Sequence, residues 1–328
     1  MNSFQAFILN QKGDQIDGKV DKLSMNDLPR EGVLIKVEYS SVNYKDGMTK
    51  VPNNPIIKKY PMVPGIDLAG EVVESDDSRF SKGDKVIATS YEIGVSHFGG
   101  YSEYARIPGS WIVPLPKDLT TLESMVLGTA GFTAALSIQR LEDNGITPEK
   151  GKVLVTGATG GVGSIAVSIL ARRGYQVVAS TGKKDSHEYL KKIGAEEVIH
   201  RDEVYNGDIK AIDKARWIAA VDPVGGKPLA SLLTKIAYGG SVAVSGLTGG
   251  VEVPTAVHPF ILRGINLLGI DSVNCPMEIR KTIWERLSTD LKPNTLNEVV
   301  KEIRLEDLSN AFDQILQGKA LGRMVVKL

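Results

Sequence analysis

The stretch Val153-Leu-Val-Thr-Gly-Ala-Thr-Gly-Gly-Val-Gly163 decides the fold of this chain. It begins as a β-branched apolar strand, ends in a glycine-rich turn, and is followed by an apolar-periodic helix and a second strand, Gln176–Ser180. In that context Ala158-x-Gly160-x-x-Gly163 is a dinucleotide-binding fingerprint, whose glycines let the backbone approach a pyrophosphate at the helix N-terminus. Cofactor contacts are therefore expected from Thr159, Gly160, Gly161 and Val162.

The residues after the second strand favour NADP over NAD. An NAD site places an acid about 20 residues beyond the glycines, where it binds the ribose 2′-hydroxyl. Here no acid lies between Gly163 and Asp185, and hydroxyl side chains and lysines occupy the position of the expected acid. These groups suit a 2′-phosphate, which a carboxylate would repel. Two solvated lysines at a strand end are the alternative interpretation. The expected contacts are Ser180, Thr181, Gly182, Lys183 and Arg201.

Composition and charge exclude several function classes. Lys+Arg and Asp+Glu are equal at 39 each in 328 residues, so no net field recruits nucleic acid or an anionic membrane. No apolar run approaches the ~20 residues of a membrane-spanning helix. A single cysteine, Cys275, excludes an internal disulfide and a multi-cysteine zinc site. We expect a cytoplasmic protein with a small-molecule substrate.

The chain changes character near Ser124. Residues 1–123 show short alternating strands such as Val33–Tyr39 between close-spaced turns, which indicates a barrel or sandwich. From Val153 onward, strands alternate with helices, as a parallel sheet covered on both faces requires. We predict an α/β protein with a β-barrel substrate domain (1–123, rejoined by 295–328) and a doubly wound nucleotide domain (124–294).

This layout resembles the medium-chain dehydrogenase/reductase superfamily, in which a GroES-like barrel carries the substrate site and a Rossmann domain binds the nicotinamide cofactor. Five segments narrow the resemblance to its quinone oxidoreductases and acrylyl-CoA reductases: Ser41–Asp46, Pro64–Gly70, Gly99–Tyr104, Gly128–Ala134 and Pro259–Ser272. The turn also fits short-chain dehydrogenases, but no tyrosine here has a lysine four residues later.

The resemblance also predicts whether this chain can bind zinc. Zinc-dependent members have a Cys in the segment corresponding to Ser41–Asp46 and Gly-His-Glu where this chain has Gly65-Ile66-Asp67. The four histidines are far apart and in no ligand spacing. Because zinc needs three or four N, S or O ligands, we expect an enzyme without a metal.

Without a Lewis acid, hydride addition to a conjugated double bond or a quinone is easier than alcohol oxidation. Asn43 is a candidate donor to the substrate carbonyl or the nicotinamide ribose, and Tyr44 a candidate cofactor contact or proton donor. Asp67 is a candidate for orienting Tyr44, Lys45 or a water, and Arg263 for pairing with Asp67 or an anionic substrate. The alternative is a structural role, in which Asn43 and Asp67 form hydrogen bonds with the backbone of turns.

The resemblance implies further cofactor contacts at Thr129, Leu247 and Ser272, and a homodimer joined at the apolar edge strand Ile265–Ile270. Four lysines, Lys45, Lys50, Lys58 and Lys59, are either a solvated face or contacts to coenzyme A phosphates. We predict a zinc-independent, NADPH-dependent reductase of quinones or α,β-unsaturated carbonyl compounds. The alternatives are an acrylyl-CoA reductase and, less favoured, a non-catalytic NADPH-binding protein.

Overall fold

The structure is a computed structural model that describes residues 3–52 and 54–328, in which it has fifteen strands and nine α-helices. The strands are β1 (Ser3–Lys12), β2 (Gln15–Ser24), β3 (Val33–Ser41), β4 (Asp67–Glu74), β5 (Lys85–Thr89), β6 (Tyr104–Ile107), β7 (Ile112–Pro114), β8 (Val153–Val155), β9 (Val177–Thr181), β10 (Glu197–His200), β11 (Trp217–Asp222), β12 (Ile236–Val244), β13 (Asn266–Gly269), β14 (Val300–Ile303) and β15 (Arg323–Lys327). The helices are α1 (Tyr44–Met48), α2 (Thr121–Asp143), α3 (Gly161–Arg172), α4 (His187–Lys192), α5 (Gly226–Leu233), α6 (His258–Arg263), α7 (Met277–Ser288), α8 (Leu296–Val299) and α9 (Leu308–Leu316).

The chain forms two compact units. The first contains the residues up to Thr129, Val273–Ser288 and Val300–Leu328, and the second contains Ala130–Ser272 and Thr289–Val299. The predicted nucleotide domain, 124–294, includes α7, whereas the structure places α7 in the first unit. The reason is a long-range attachment: Arg280 of α7 is fully buried and its Nη1 donates to Thr89 Oγ1 at 3.0 Å.

The second unit is built on a six-stranded sheet with the order β10-β9-β8-β11-β12-β13, in which every pair is parallel. All residues of β11 are buried, because helices cover both faces of such a sheet. The order is that of a doubly wound dinucleotide-binding fold and confirms the predicted fold class. The glycine-rich turn joins β8 to α3 at the carboxyl edge of the sheet.

The first unit is built on a seven-stranded sheet in which β14-β15-β3-β4-β5-β7 are neighbours and β6 also pairs with β3, while β1 and β2 form a separate hairpin. Alternate apolar residues of β3 face one core. The antiparallel pairing of β15 with β3 sets Val325 opposite Ser41, and β3 also pairs with β4. This register brings the end of β3 and the starts of β4 and β15 together.

One helix among the described residues, α2, is long and apolar enough by length and composition to cross a membrane. The lengths of the apolar runs in the sequence predict no such stretch. Most of it is buried inside the protein. Because a core helix passes the same test, α2 is weak support for a membrane span.

Candidate active site

A buried carboxylate, Asp67, stands at the first residue of β4 and is the centre of a polar cluster in the first unit. Its Oδ2 accepts hydrogen bonds from Ser41 Oγ at 2.5 Å, Asn43 Nδ2 at 2.8 Å and the Thr129 backbone N–H at 2.9 Å. Its Oδ1 accepts a short hydrogen bond from the Thr129 hydroxyl. Asp67 is fully buried, so these donors replace the water that an ionised carboxylate would otherwise need.

The positive charge of the cluster comes from Arg323, the first residue of β15. Its Nη2 lies 3.9 Å from Asp67 Oδ2 and donates to Ser41 Oγ at 2.8 Å. Its Nη1 donates to Asn43 Oδ1 at 3.1 Å. Arg323 is also buried, and it donates to two backbone carbonyls as well. Arg323 is not among the residues predicted from the sequence. The available signal was a charged side chain directly before the apolar run Met324–Val326.

A second buried acid, Asp46, lies beside this pair and was also missed as a site residue. Asp46 Oδ2 accepts from the Asn43 backbone N–H at 2.8 Å, which forms the capping box of α1, and its Oδ1 accepts from the Ile66 N–H at 3.0 Å. Burial raises the pKa of Asp46 to about 7, and the negative charge of Asp67 adds to this effect. The cluster therefore contains two acids and one permanent cation.

Gly128 lets the backbone of α2 reach the cluster. It has φ 51° and ψ −157°, a conformation that interrupts the helix and that side-chain-bearing residues rarely adopt. A Cβ there would lie 2.6 Å from both Asp67 Oδ2 and Ser41 Oγ. Glycine is therefore required by the backbone conformation and by the close approach. The next residue, Thr129, gives both its N–H and its hydroxyl to Asp67.

A strained corner after β5 completes the cluster. Ser90 and Tyr91 both have positive φ, 69° and 49°, which is uncommon for residues other than glycine. Ser90 Oγ lies 3.0 Å from Thr129 Oγ1. Tyr91 stacks on Trp111 and has the Arg280 guanidinium 4.6 Å above its ring. These contacts hold the corner in its unusual conformation.

The structure therefore brings together three of the residues singled out from the sequence, Asn43, Asp67 and Thr129. Tyr44 follows Asn43 at the start of α1 and is 42% exposed. Arg263 lies in the second unit. Its guanidinium donates to the backbone carbonyls of Asp213, Thr234 and Ile236, where it ties the segment before β11 to the β12 region. These bonds give it a structural role, and a contact with Asp67 or a substrate stays a prediction.

In the second unit the dinucleotide turn has the geometry that its sequence predicts. Gly160 is the N-cap of the twelve-residue helix α3, which begins at Gly161 and Val162. A Cβ on Gly163 would lie 2.4 Å from the carbonyl oxygen of Gly157, so the helix can begin here only without a side chain at that position. Such a helix N-terminus presents unpaired N–H groups and a positive dipole end to a phosphate.

Asp222 supports this edge of the sheet and was not singled out from the sequence. Its Oδ2 accepts from the Gly225 N–H at 2.8 Å, and its Oδ1 accepts a short bond from the Thr156 hydroxyl of the turn. Ser245, at the end of β12, has a buried hydroxyl for which the described residues supply no hydrogen-bond partner. A polar edge of this kind fits a nicotinamide dinucleotide.

The residues predicted to bind the adenine end lie at the carboxyl ends of β9 and β10. Ser180 and Thr181 are buried, and the Lys183 N–H donates to Thr181 Oγ1 at 3.0 Å. Arg201 packs on Gly182, where a Cβ would lie 2.9 Å from its Nε. Burial lowers the pKa of Lys183. Two other predicted contacts lie elsewhere: Leu247 is 60% exposed after β12, and Ser272 is half-buried after β13.

The residues at the Asp67 centre do not fit zinc. Both carboxylate oxygens accept hydrogen bonds, and the neighbouring cation is Arg323. Zinc in proteins prefers Cys, His and carboxylate ligands in sets of three or four. Within residues 3–52 and 54–328, no three His, Cys, Asp or Glu side chains are grouped to hold a metal.

Comparisons with known proteins agree with both units. Residues 29–117 match the alcohol dehydrogenase GroES-like domain, and residues 161–289 match the zinc-binding dehydrogenase family. The chain is 60% identical to Bacillus subtilis YhfP, a protein named among the quinone oxidoreductases, over 99% of each chain. It is 46% identical to the acrylyl-CoA reductase AcuI of Ruegeria pomeroyi over 98% of each.

Two solved structures resemble this one closely. The crystal structure of Bacillus subtilis YhfP with NAD bound covers 100% of both chains with a TM-score of 0.98 at 60% identity. That of the Salmonella enterica yhdH oxidoreductase in complex with NADP covers 99% of both, with a TM-score of 0.96 at 44% identity.

The chain thus belongs to the medium-chain dehydrogenase/reductase superfamily, and within it to the family of YhfP, YhdH and AcuI. It is an NAD(P)-binding oxidoreductase of that family, and the resemblance seen in the sequence is confirmed. At 60% identity it is a relative of the B. subtilis (strain 168) protein and not that protein itself.

Proposed function

We propose that this chain is a zinc-independent, NADPH-dependent reductase that transfers a hydride to a quinone or an α,β-unsaturated carbonyl compound. The main support for this proposal is the Asp67 centre. Asp67 corresponds to the region that holds the metal in zinc-dependent relatives, but here its carboxylate accepts four hydrogen bonds and lies beside Arg323. A metal would have to displace these partners. Reduction of a conjugated acceptor avoids the need for one, because its developing charge spreads over the acceptor.

When bound, a nicotinamide cofactor supplies the hydride. The α3 N-terminus, with Thr159 and Gly160 before it, would hold the pyrophosphate. Asn43 uses one amide N–H on Asp67, so its second N–H is available to a substrate carbonyl or a ribose hydroxyl. The exposed Tyr44 ring is suited to contact the cofactor or the substrate.

Acrylyl-CoA is the second candidate substrate, favoured by the 46% identity to AcuI over nearly the whole chain. Lys58 and Lys59 are exposed, and Lys45 is half-buried, so they are placed to meet phosphates from solvent. Lys50 instead has its Nζ 3.6 Å from Asp313. We therefore assign any phosphate contact to the first three.

The test is NADPH oxidation with acrylyl-CoA and a simple quinone side by side, in the presence of EDTA. Turnover of either acceptor supports the reductase proposal and removes the non-catalytic alternative. A strong preference for the thioester, weakened by Lys58→Ala and Lys59→Ala together, identifies a coenzyme A ester reductase. Loss of activity in EDTA, restored by zinc, would contradict the metal-independent proposal.

The preference for NADPH rests on Arg201 and Lys183 beside the Gly182 turn. We expect Arg201→Met to lower kcat/KM for NADPH about tenfold or more, because it removes a charge-assisted contact to the 2′-phosphate. The same variant should leave kcat/KM for NADH nearly unchanged. Equal losses with both cofactors would show that Arg201 acts on the fold and not on the 2′-phosphate.

A further inference from the structure

The orientation of the Asn43 side-chain amide is fixed by its two charged neighbours. The guanidinium of Arg323 only donates, so the Asn43 atom 3.1 Å from its Nη1 is the carbonyl oxygen Oδ1. On the other side Asn43 faces Oδ2 of Asp67, which accepts a hydrogen bond from Nδ2 at 2.8 Å. A flipped amide would set donor against donor at Arg323 and oxygen against oxygen at Asp67. Only one orientation of the amide therefore satisfies both neighbours.

Arg323 is held in place independently of Asn43. Its Nε donates to the Val126 carbonyl of α2 at 3.0 Å, and its Nη1 also donates to the Val42 carbonyl at 3.1 Å. Its Nη2 donates to Ser41 Oγ at 2.8 Å. The planar guanidinium fork is thus fixed by the end of β3 and by α2, and Arg323 is only 2% exposed. Oδ1 of Asn43 therefore meets a donor whose position is set by the fold.

One N–H of Asn43 remains for a ligand. The backbone N–H of Asn43 donates to Asp46 in the capping box of α1, and its carbonyl accepts the Asp46 N–H at 3.0 Å. Oδ1 accepts from Arg323, and one Nδ2 hydrogen is donated to Asp67. Among the described residues nothing accepts the second Nδ2 hydrogen. A donor that is fixed before the reaction suits an oxygen that gains negative charge, because the donor does not have to reorganise.

We propose that Arg323 is a positioning residue for the reduction, and that it holds Asn43 so that the second Nδ2 hydrogen is donated to the oxygen of the acceptor. This proposal rests on the reductase function proposed above. The β-carbon of the acceptor receives the hydride, the electron pair of the double bond moves to give an enolate, and the enolate takes a proton from water. Asn43 touches the substrate oxygen throughout, and Arg323 acts through Asn43. Of the two partners left open for this N–H, the proposal assigns the carbonyl oxygen and not the ribose hydroxyl.

The first experiment is a double-mutant cycle, with NADPH and the acceptor, acrylyl-CoA or the quinone, that the wild type reduces. We expect Asn43→Ala to lower kcat about 100-fold or more, as the loss of one donor to a developing oxyanion does. Arg323→Met should lower kcat by about the same factor, because the amide is then free to turn away. In the double variant kcat should be no lower than in Asn43→Ala, since residues that act as a unit are not additive. Losses that multiply would show that Arg323 supports the fold and does not act through Asn43.

Two further variants control for folding. Loss of a buried cation beside Asp67 can unfold the protein, so the cycle is repeated with Arg323→Lys. Lysine keeps the charge but has no planar fork, so kcat should fall in the wild-type background and not in the Asn43→Ala background. Ser40→Ala is the matched control, because this buried hydroxyl donates to the backbone carbonyl of Asp67 at 2.6 Å and not to its carboxylate. It should leave kcat nearly unchanged.

The dissociation constant for NADPH, measured by fluorescence titration without an acceptor, distinguishes the two partners of the free N–H. We expect the same Kd for the wild type and for Asn43→Ala. A higher Kd in Asn43→Ala, with kcat unchanged at saturating NADPH, would assign the N–H to the cofactor and overturn the proposal. A wild-type enzyme that reduces no acceptor would instead contradict the reductase function, so the two failures are distinguishable.

Discussion

Three ionisable side chains, Asp46, Asp67 and Arg323, are buried in one region of the first unit. The native pKa of Asp46, about 7, is above the ordinary value of 3.8, so the folded protein binds this proton more tightly than the unfolded chain does. The free energy of unfolding should therefore fall as pH rises from about 4 to about 7, by an amount on the order of a few kcal/mol.

We expect Asp46→Asn to flatten this part of the pH dependence. The measurement is the apparent melting temperature of both proteins between pH 5 and pH 8. The melting temperature of the wild type should fall more than that of Asp46→Asn as the pH rises. Parallel curves would show that Asp46 is not the titrating group.

Gly128 allows a second prediction about a single residue. Gly128→Ala combines an unfavourable φ with a Cβ only 2.6 Å from Asp67 Oδ2, whereas Gly83→Ala has φ 95° and nothing within 4 Å of its Cβ. Positive φ alone costs on the order of 1–3 kcal/mol. Gly128→Ala should lower the melting temperature clearly more than Gly83→Ala, and it should also reduce activity by displacing Thr129. Equal losses of stability would show that the close approach has little energetic weight.

The sequence could indicate some site residues and not others, for physical reasons. Asn43 and Asp67 lie in short motifs whose residue types differ from those of a zinc site. Each could therefore be recognised from its neighbours in the sequence. Arg323 lies 282 positions beyond Ser41, to which it donates, and only strand pairing brings them together. A lone arginine at a helix end gives no sign of its partners, so the sequence could not indicate that Arg263 donates to three backbone carbonyls.

Among the secondary-structure elements, the start of α3 makes the sharpest prediction. Gly163→Ala would press a methyl group against the Gly157 carbonyl and should shift the whole turn, while Gly174→Ala, just beyond the end of α3, meets nothing within 4 Å. Because the pyrophosphate would be held by backbone N–H groups of this turn, we expect Gly163→Ala to weaken NADPH binding about tenfold or more. Gly174→Ala should change only stability. Calorimetric titration measures both, and retained affinity in Gly163→Ala would contradict the assignment.

The elements themselves were largely predictable, because hydrophobic periodicity distinguishes buried strands from helices. The β8–α3–β9 unit, β11 and the terminal β15 all lie where their patterns indicated. The assignment of α7 to a unit was not predictable. Its sequence shows an amphipathic helix, but the decisive contact is a buried arginine that reaches Thr89, 191 positions earlier in the chain.

In the whole molecule, the outer strand β13 of the six-stranded sheet is the surface predicted to bind a second copy of the chain. β13 is an outer strand of the six-stranded sheet, and Leu267 in it is 39% exposed, with Ile261 of α6 71% exposed. An apolar edge strand offers unpaired backbone groups to a second chain. We expect a homodimer in which the two sheets join at this edge, as the sequence also indicated.

Leu267→Lys should shift this dimer towards the monomer, measured by light scattering after gel filtration. Leu321→Lys is a matched control, because Leu321 is a similarly exposed leucine in the first unit. A wild-type monomer, or a dimer that both variants leave intact, would contradict the edge assignment.

The discontinuity of the first unit has a consequence during protein synthesis. The ribosome makes Ser41, Asp46 and Asp67 early, but the one guanidinium that faces the two acids belongs to Arg323, in a strand made 282 residues after Ser41. By then the whole segment Ala130–Ser272 has emerged and can fold as a unit of its own. A nascent chain can therefore fold its nucleotide-binding sheet before Arg323 has been made, and the two acids have no counter-ion in this cluster until then.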